Sequence, residues 1–439
     1  MKFSNLPLSL TDMSAPVIGI ASRTQTPKGL RLHIGLFGRR NAGKSSLINA
    51  LTNQKIAIVS DVPGTTTDPV EKACELAPIG PVVFIDTAGV DDVGELGGLR
   101  TERSLAVLGW VDVALIVCDA KALTESELEL IRTVKSTATP TVVVLNKADT
   151  ADAKELIATQ EQVRSLGYEP VTVCASQKLN IDAVREAIVK LAQNAVEPDL
   201  PLLGDLVHPG DTVMLVTPID TGAPKGRMIL PQVQAIREVL DADAKCIVVR
   251  ENRLAETLAN EKEPPAFVVT DSQVVQSVVA QTPNTIPVTT FSIQMAYSKC
   301  DLVEMARGAA MIDFLHPGDK VMICETCSHH PQPDDIGRKK LPRWLAKKVG
   351  GELDIEVVVG KDFPVDLTPY KLILQCGGCV VTRRHMLTRL AQAKRQNIPM
   401  TNYGVAISHL QGVLERALEL HPKALKAFHE AREIFANHF

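Results

Sequence analysis

Short apolar runs at 32–37, 56–59, 82–85, 113–118, 141–145 and 170–173 alternate with segments whose apolar residues recur at helical spacing. That alternation predicts the strands of a doubly wound α/β sheet over residues 30–195. Such a sheet places its ligand in the loops at the carboxyl ends of its strands. Beyond a Pro- and acid-rich linker at 196–203 the pattern repeats itself. Val207-His-Pro-Gly-Asp-Thr-Val-Met214 returns as Leu315-His-Pro-Gly-Asp-Lys-Val-Met322, and Gly226-Arg-Met-Ile-Leu-Pro231 as Gly337-Arg-Lys-Lys-Leu-Pro342. The strand-like run 265–270 likewise has a counterpart at 370–375. Ordered matches at nearly equal separation predict two related, smaller α/β units, 204–310 and 311–439, each with a Pro in the first turn of its leading helix. In the second unit Ile407, Leu410, Val413, Leu414, Ala417 and Leu418 form a helical apolar stripe, expected to be core or docking surface. Residues 1–29 form a separate N-terminal segment.

With 439 residues, 45% of them hydrophobic and 22% charged, the chain suits several globular domains. A net charge of −4 and 4% aromatic residues argue against a nucleic-acid partner, which would select basic patches and stacking rings. No run has the length of a membrane span or signal core. Nine cysteines without a secretion signal point to a reducing, cytoplasmic setting in which thiols stay free or bind metal.

The chemistry starts at Gly38-Arg-Arg-Asn-Ala-Gly-Lys44-Ser45, between a strand-like run and a helix start. A loop of this pattern turns its backbone N–H groups around a phosphate; Lys44 neutralises the β/γ oxygens and Ser45 ligates Mg²⁺. Gly38, Gly43, Lys44, Ser45 and Ser46 therefore form the expected phosphate side. Asp86-Thr-Ala-Gly89 follows the third run: Asp86 can hold Mg²⁺ through water, and Gly89 leaves an N–H for a γ-phosphate. Asn146-Lys-Ala-Asp149 follows the fifth. Asp149 can accept the two donors on the guanine edge, Lys147 can lie over the base, and Asn146 can tie this loop to the phosphate loop. Three motifs in this order specify GTP.

These residues resemble the Ras-like P-loop GTPases of the Era/TrmE type. The resemblance implies that Asp61-Val-Pro-Gly-Thr-Thr-Thr-Asp68 is switch I, with Thr66, or else Thr65, sensing Mg²⁺. It makes Lys44, Asp86, Gly89 and Thr66 the catalytic set. Val173-Cys-Ala-Ser-Gln-Lys178 resembles the base-binding loop, with Ala175 at the base and Cys174, where serine is common, expected to serve packing. Asn41 matches an asparagine that helps hold an activating K⁺ in related GTPases. Val90 stands where Ras-type enzymes place a water-orienting glutamine, so slow, K⁺-stimulated hydrolysis is expected. Arg39 and Arg40 are read as surface charge.

The second small unit carries Cys324-Glu-Thr-Cys327-Ser-His329-His330 and Gln375-Cys376-Gly-Gly-Cys379 where the first unit has no cysteine. If the repeat holds, both loops lie at one sheet edge and Cys327, Cys376 and Cys379 converge. Three thiolates suit one face of an iron–sulfur cluster; a Cys₃His zinc site and a redox pair at Cys376/Cys379 are the competing readings. Cys324 is read as a buried strand residue, and most of Arg338, Lys339, Lys340, Arg343, Arg383 and Arg384 as solvated charge. This cysteine pattern, with the Asp-Asp-Val-Gly-Glu-Leu-Gly run after residue 90, resembles the HydF family of [FeFe]-hydrogenase maturation GTPases. The resemblance implies a [4Fe–4S] cluster on Cys327, Cys376 and Cys379, with His329 a further candidate ligand and Gln375 in place of the family's second histidine. It also implies dimerisation through the first small unit, and delivery of a diiron precursor, received from HydE- and HydG-type radical-SAM maturases, to apo-hydrogenase. The rival is a ribosome- or tRNA-associated GTPase with structural zinc. The expected fold is thus a Ras-like α/β GTPase domain followed by two related smaller α/β domains.

Overall fold

Strands β1 (Leu32–Phe37), β2 (Val70–Leu76), β3 (Gly80–Asp86), β4 (Val113–Asp119), β5 (Thr141–Asn146) and β6 (Val171–Thr172) form one sheet in the order β2-β3-β1-β4-β5-β6. The computed structural model describes residues 28–52, 70–87, 106–137, 139–194, 200–219, 228–326, 335–360 and 363–438. All neighbours pair in parallel except β2 with β3. Both faces are covered. Helices Lys44–Thr52 and Ile181–Asn194 bury Leu47, Ile48, Val184 and Ile188 with Ile34 and Leu36 on one side. Helices Glu125–Ser136 and Ala153–Ser165 bury Leu130, Ile131, Val134 and Val163 with Phe37, Ile85 and Ile116 on the other. Burial on two faces is why the central strands read as unbroken apolar runs.

The edge strand β2 has no such run: within Val-Glu-Lys-Ala-Cys-Glu-Leu only Lys72 and Leu76 are buried. The predicted strand at 56–59 lies outside the described residues, as do the 86–100 switch segment beyond Thr87 and residues 1–27.

The two small units have the same topology. Strands β7 (Thr212–Val216), β8 (Lys245–Val249), β9 (Phe267–Thr270) and β10 (Val288–Thr290) are arranged β10-β9-β7-β8. Strands β11 (Lys320–Glu325), β12 (Asp354–Val359), β13 (Leu372–Gln375) and β14 (Met400–Asn402) are arranged β12-β11-β13-β14. In each, the opening strand lies between the second and third, and every pair is parallel. The repeated His-Pro-Gly-Asp turn is equivalent down to its hydrogen bonds. Asp211 Oδ2 accepts from His208 N at 2.8 Å and Asp319 Oδ2 from His316 N at 2.7 Å, while Gly210 and Gly318 have φ of +87° and +88°. Pro231 and Pro342 stand in the first turns of Leu230–Asp241 and Leu341–Val349.

The apolar stripe 407–418 is not one helix. Helix Tyr403–Leu410 ends before Gly412, whose φ of +73° breaks the run, and a short helix Leu414–Ala417 follows. The chain then closes with helix Pro422–Ala436. Among the described residues no helix is long and apolar enough to cross a membrane.

The last unit leans on the amino-terminal edge of the six-stranded sheet. Arg384 Nη2 donates to Thr139 Oγ1 at 2.9 Å, ahead of β5, and His385 stacks on Trp110, ahead of β4, with centroids 6.5 Å apart. Ahead of β1, Gly29 packs so closely on the backbone after Cys379 that a Cβ there would stand 2.6 Å from the Cys379 carbonyl oxygen. Its own carbonyl accepts from the buried Lys299 Nζ at 2.6 Å.

Candidate functional site

The loop between β1 and helix Lys44–Thr52 opens a cleft of about 490 Å³ lined by Asn41, Gly43, Lys44, Ser45, Ser46, Asn146, Lys147, Asp149 and Ser176. The buried Lys44 ammonium donates to the carbonyls of Gly38 (2.8 Å) and Arg39 (3.0 Å), so it is held inside the loop that is expected to wrap a phosphate. Ser45 Oγ donates to Asp86 Oδ2 at 2.8 Å, which brings together the two side chains expected at Mg²⁺. Asn41 is exposed on the rim with φ of 63°.

Asn146 ties three segments together. Its Nδ2 donates to the Ala42 carbonyl at 2.9 Å, and its Oδ1 accepts from Ala175 N at 3.0 Å. Gly43 must be glycine here, because a Cβ would run into Asn146 Nδ2. Lys147 adopts φ 62° at the turn, and Asp149 faces the cleft. Two partners of Asp149 add to the expectation for the neighbouring loop: the Cys174 thiol, buried as expected, donates to Oδ1 at 3.0 Å, and Gln177 Nε2 to Oδ2 at 3.3 Å. Cys174, expected as packing, therefore steadies the carboxylate that is expected to read the base. Its one sequence signal was its place where serine is common.

Arg39 is also not plain surface charge. It bridges Asp119 at 3.2 Å and the fully buried Glu127 at 3.4 Å. Lys147 meets the same Asp119 oxygen at 3.3 Å. Burial opposes the charge of Asp119, yet the Lys121 N–H, Lys147 and Arg39 hold its carboxyl below the ordinary value. Thr65, Thr66, Gly89 and Val90 lie outside the described residues.

The second candidate region is the carboxyl edge of the last sheet. Cys324 pairs in register with Gln375, so β11 and β13 end side by side, as the repeat required. Cys376 follows β13, and its sulfur accepts from Thr326 N at 3.2 Å and lies 3.0 Å from Thr326 Oγ1. Cys376 and Cys379 are both half-buried. Cys327, His329 and His330 lie outside the described residues; among those described, no three His, Cys, Asp or Glu side chains gather into a metal site.

Cys324 is buried in β11, as expected, and burial pushes its thiol up to about 12. Gln375 is fully buried and its Oε1 accepts from Arg389 Nη1 at 2.9 Å, so this oxygen is already engaged. Of the basic residues read as solvated, Arg338 pairs with buried Glu325 at 3.0 Å, Arg383 donates to the carbonyls of Ser298 and Cys300, and Arg384 joins the contact with the first sheet. Tyr403, just past β14, points its hydroxyl into the same edge; burial first, then Cys376 and Glu325, push its phenol well above the ordinary value.

Comparison with known families divides the chain in three. Residues 33–147 match the 50S ribosome-binding GTPase family, 202–300 the hydrogen maturase F dimerization domain, and 303–420 the hydrogen maturase F tetramerization domain. Among curated relatives, the tRNA modification GTPase MnmE of Trichormus variabilis is 38% identical over 167 residues, which is 37% of this chain and 34% of that protein. GTPase Der of Wolinella succinogenes is 34% identical over 172 residues, 37% of this chain and 36% of that protein. The chain thus spans about a third of the length of these relatives. Among solved structures, a substituted Aquifex aeolicus Era bound to GDP·AlF4⁻ is 21% identical, with a TM-score of 0.32, covering 50% of this chain and 92% of that one. The G domain of the T. maritima FeoB iron transporter is 24% identical with a TM-score of 0.30, covering 37% and 99%.

Proposed function

Because this chain belongs to the HydF-type GTPases, we propose that it hydrolyses GTP and serves as a scaffold that carries a metal cluster in [FeFe]-hydrogenase maturation. The observation that carries this reading is the pairing of the two hydrogen maturase F matches with the Cys376-Gly-Gly-Cys379 loop at one sheet edge. Resemblance to MnmE and Der is confined to the GTPase third, so nothing about tRNA or ribosome partners comes with it.

In the nucleotide cleft, Lys44 holds the β/γ-phosphate charge, Ser45 and Asp86 the Mg²⁺, and Asp149 the guanine, with Thr66 and Gly89 completing the site around the γ-phosphate. Asn41, on the rim, holds K⁺. Hydrolysis is then slow in NaCl and faster in KCl; equal rates in the two salts remove Asn41 from this role.

At the other site, Cys327, Cys376 and Cys379 hold a [4Fe–4S] cluster. The donor set fits: Thr326 directs an N–H at Cys376 Sγ, and its hydroxyl oxygen lies 3.0 Å from the same sulfur. A cluster held there would supply an iron for exchange with an incoming group, with His329 as a further candidate ligand. The chain would receive a diiron precursor from HydE- and HydG-type maturases and pass it to apo-hydrogenase, working as a homo-oligomer through its two matched oligomerisation domains. Anaerobic purification with iron, sulfide and zinc analysis and EPR tests this directly. Iron and sulfide near four per chain with a reduced-cluster EPR signal support the scaffold; stoichiometric zinc without iron removes it.

A further inference from the structure

The ends of three adjacent parallel strands meet where the cluster is proposed to sit, and they bring a residue that no cysteine pattern picks out. Gln375 pairs in register with Cys324 on one side and with Asn402 on the other. Cys376 and Tyr403 are therefore each the first residue beyond paired positions on neighbouring strands, which run about 4.8 Å apart. Thr326 reaches Cys376 Sγ from the β11 side, and Tyr403 stands on the β14 side.

The Tyr403 hydroxyl oxygen is shut off from solvent and has no hydrogen-bond partner among the described residues. A buried hydroxyl left unpaired is destabilising, and a phenylalanine would fill the space without that cost. The nearby carboxylate does not relieve it: Oε2 of Glu325 is taken by Arg338 at 3.0 and 3.2 Å, and Oε1 makes no hydrogen bond to the hydroxyl. Gly337 lies between them, and a Cβ there would collide with the Tyr403 hydroxyl and stand 2.7 Å from Glu325 Oε1.

We propose that the Tyr403 hydroxyl donates a hydrogen bond to the sulfur of the metal–sulfur group held at this edge, opposite the donors from Thr326. This rests on the cluster reading above. A donor to cluster sulfur stabilises the reduced, more negative state and so raises the reduction potential.

The test uses the full chain, reconstituted anaerobically with iron and sulfide. Tyr403→Phe keeps the ring and removes only the oxygen, so iron content should equal that of the unsubstituted chain. The midpoint potential in an EPR-monitored titration should move to more negative values, and the g-values of the reduced signal should change. Gly337→Ala, which pushes the hydroxyl aside, should move both in the same direction while Tyr403 is still present. If potential and g-values are unmoved in both variants while iron is retained, the hydroxyl serves only neighbouring protein and the proposal is overturned. If the unsubstituted chain takes up no iron, the cluster reading itself falls and takes this proposal with it.

Discussion

Asp149 has two oxygens to present to a base, and both are already held from behind by Cys174 and Gln177. Replacing Cys174 with valine exchanges the thiol for two methyl groups and deletes a hydrogen bond, a loss of about 1 kcal/mol in the proposed guanine site. Cys174→Val should therefore raise the Kd for GTP about fivefold, while Cys174→Ser should stay within about twofold, both read by titration with a fluorescent nucleotide. The residues that touch phosphate and base were legible because nucleotide chemistry dictates their identity and order. Those that hold the holders were not. A cysteine between Val173 and Ala175 reads as core, and an arginine beside a glycine reads as solvent-facing, until the buried Glu127 and the carboxylate of Asp149 are placed next to them.

Elements follow the same logic. Strands buried on both faces were read to within a residue or two, β1 included, whereas β2 was missed because an edge strand needs few apolar positions. The 407–418 stripe is divided by the turn at Gly412: Ile407 and Leu410 pack in one core cluster, and Leu414, Ala417 and Leu418 in another. The repeat was visible through its turn, where Asp211 and Asp319 make equivalent hydrogen bonds. Sequence distance hid the contact between Gly29 and the segment after Cys379. A Cβ at Gly29 would meet backbone, which cannot swing away, so Gly29→Ala should lower stability by about 1–3 kcal/mol in chemical denaturation. The same change should alter the EPR line shape of the proposed cluster while GTP affinity holds; an unaltered line shape would mean that the segment merely packs.

Across the whole molecule, pH acts where the two small units meet. His421 lies against Tyr297, with ring centroids 5.0 Å apart, and shares a hydrogen bond with Gln294 at 3.0 Å. Burial lowers its pKa from 6.5 to about 4, so the folded chain keeps the imidazole neutral where the unfolded chain would protonate it. Its contribution is complete above about pH 6.5 and is lost as pH falls toward 4, at most about 3 kcal/mol. Urea denaturation at pH 7.5 and pH 5 should show about 2 kcal/mol of that loss, and His421→Gln should flatten it.

Strand β1 runs from the Gly29 contact to the nucleotide loop, six residues, or about 20 Å. The nucleotide lies off its carboxyl end and the cysteine loop against its amino end, and salt at physiological strength damps exposed charges beyond about 8 Å. A departing phosphate therefore has no way to touch the proposed cargo and little way to pull on it by charge. Whatever hydrolysis would tell that proposed cargo must travel as movement, like a push on one end of a rod felt at the other.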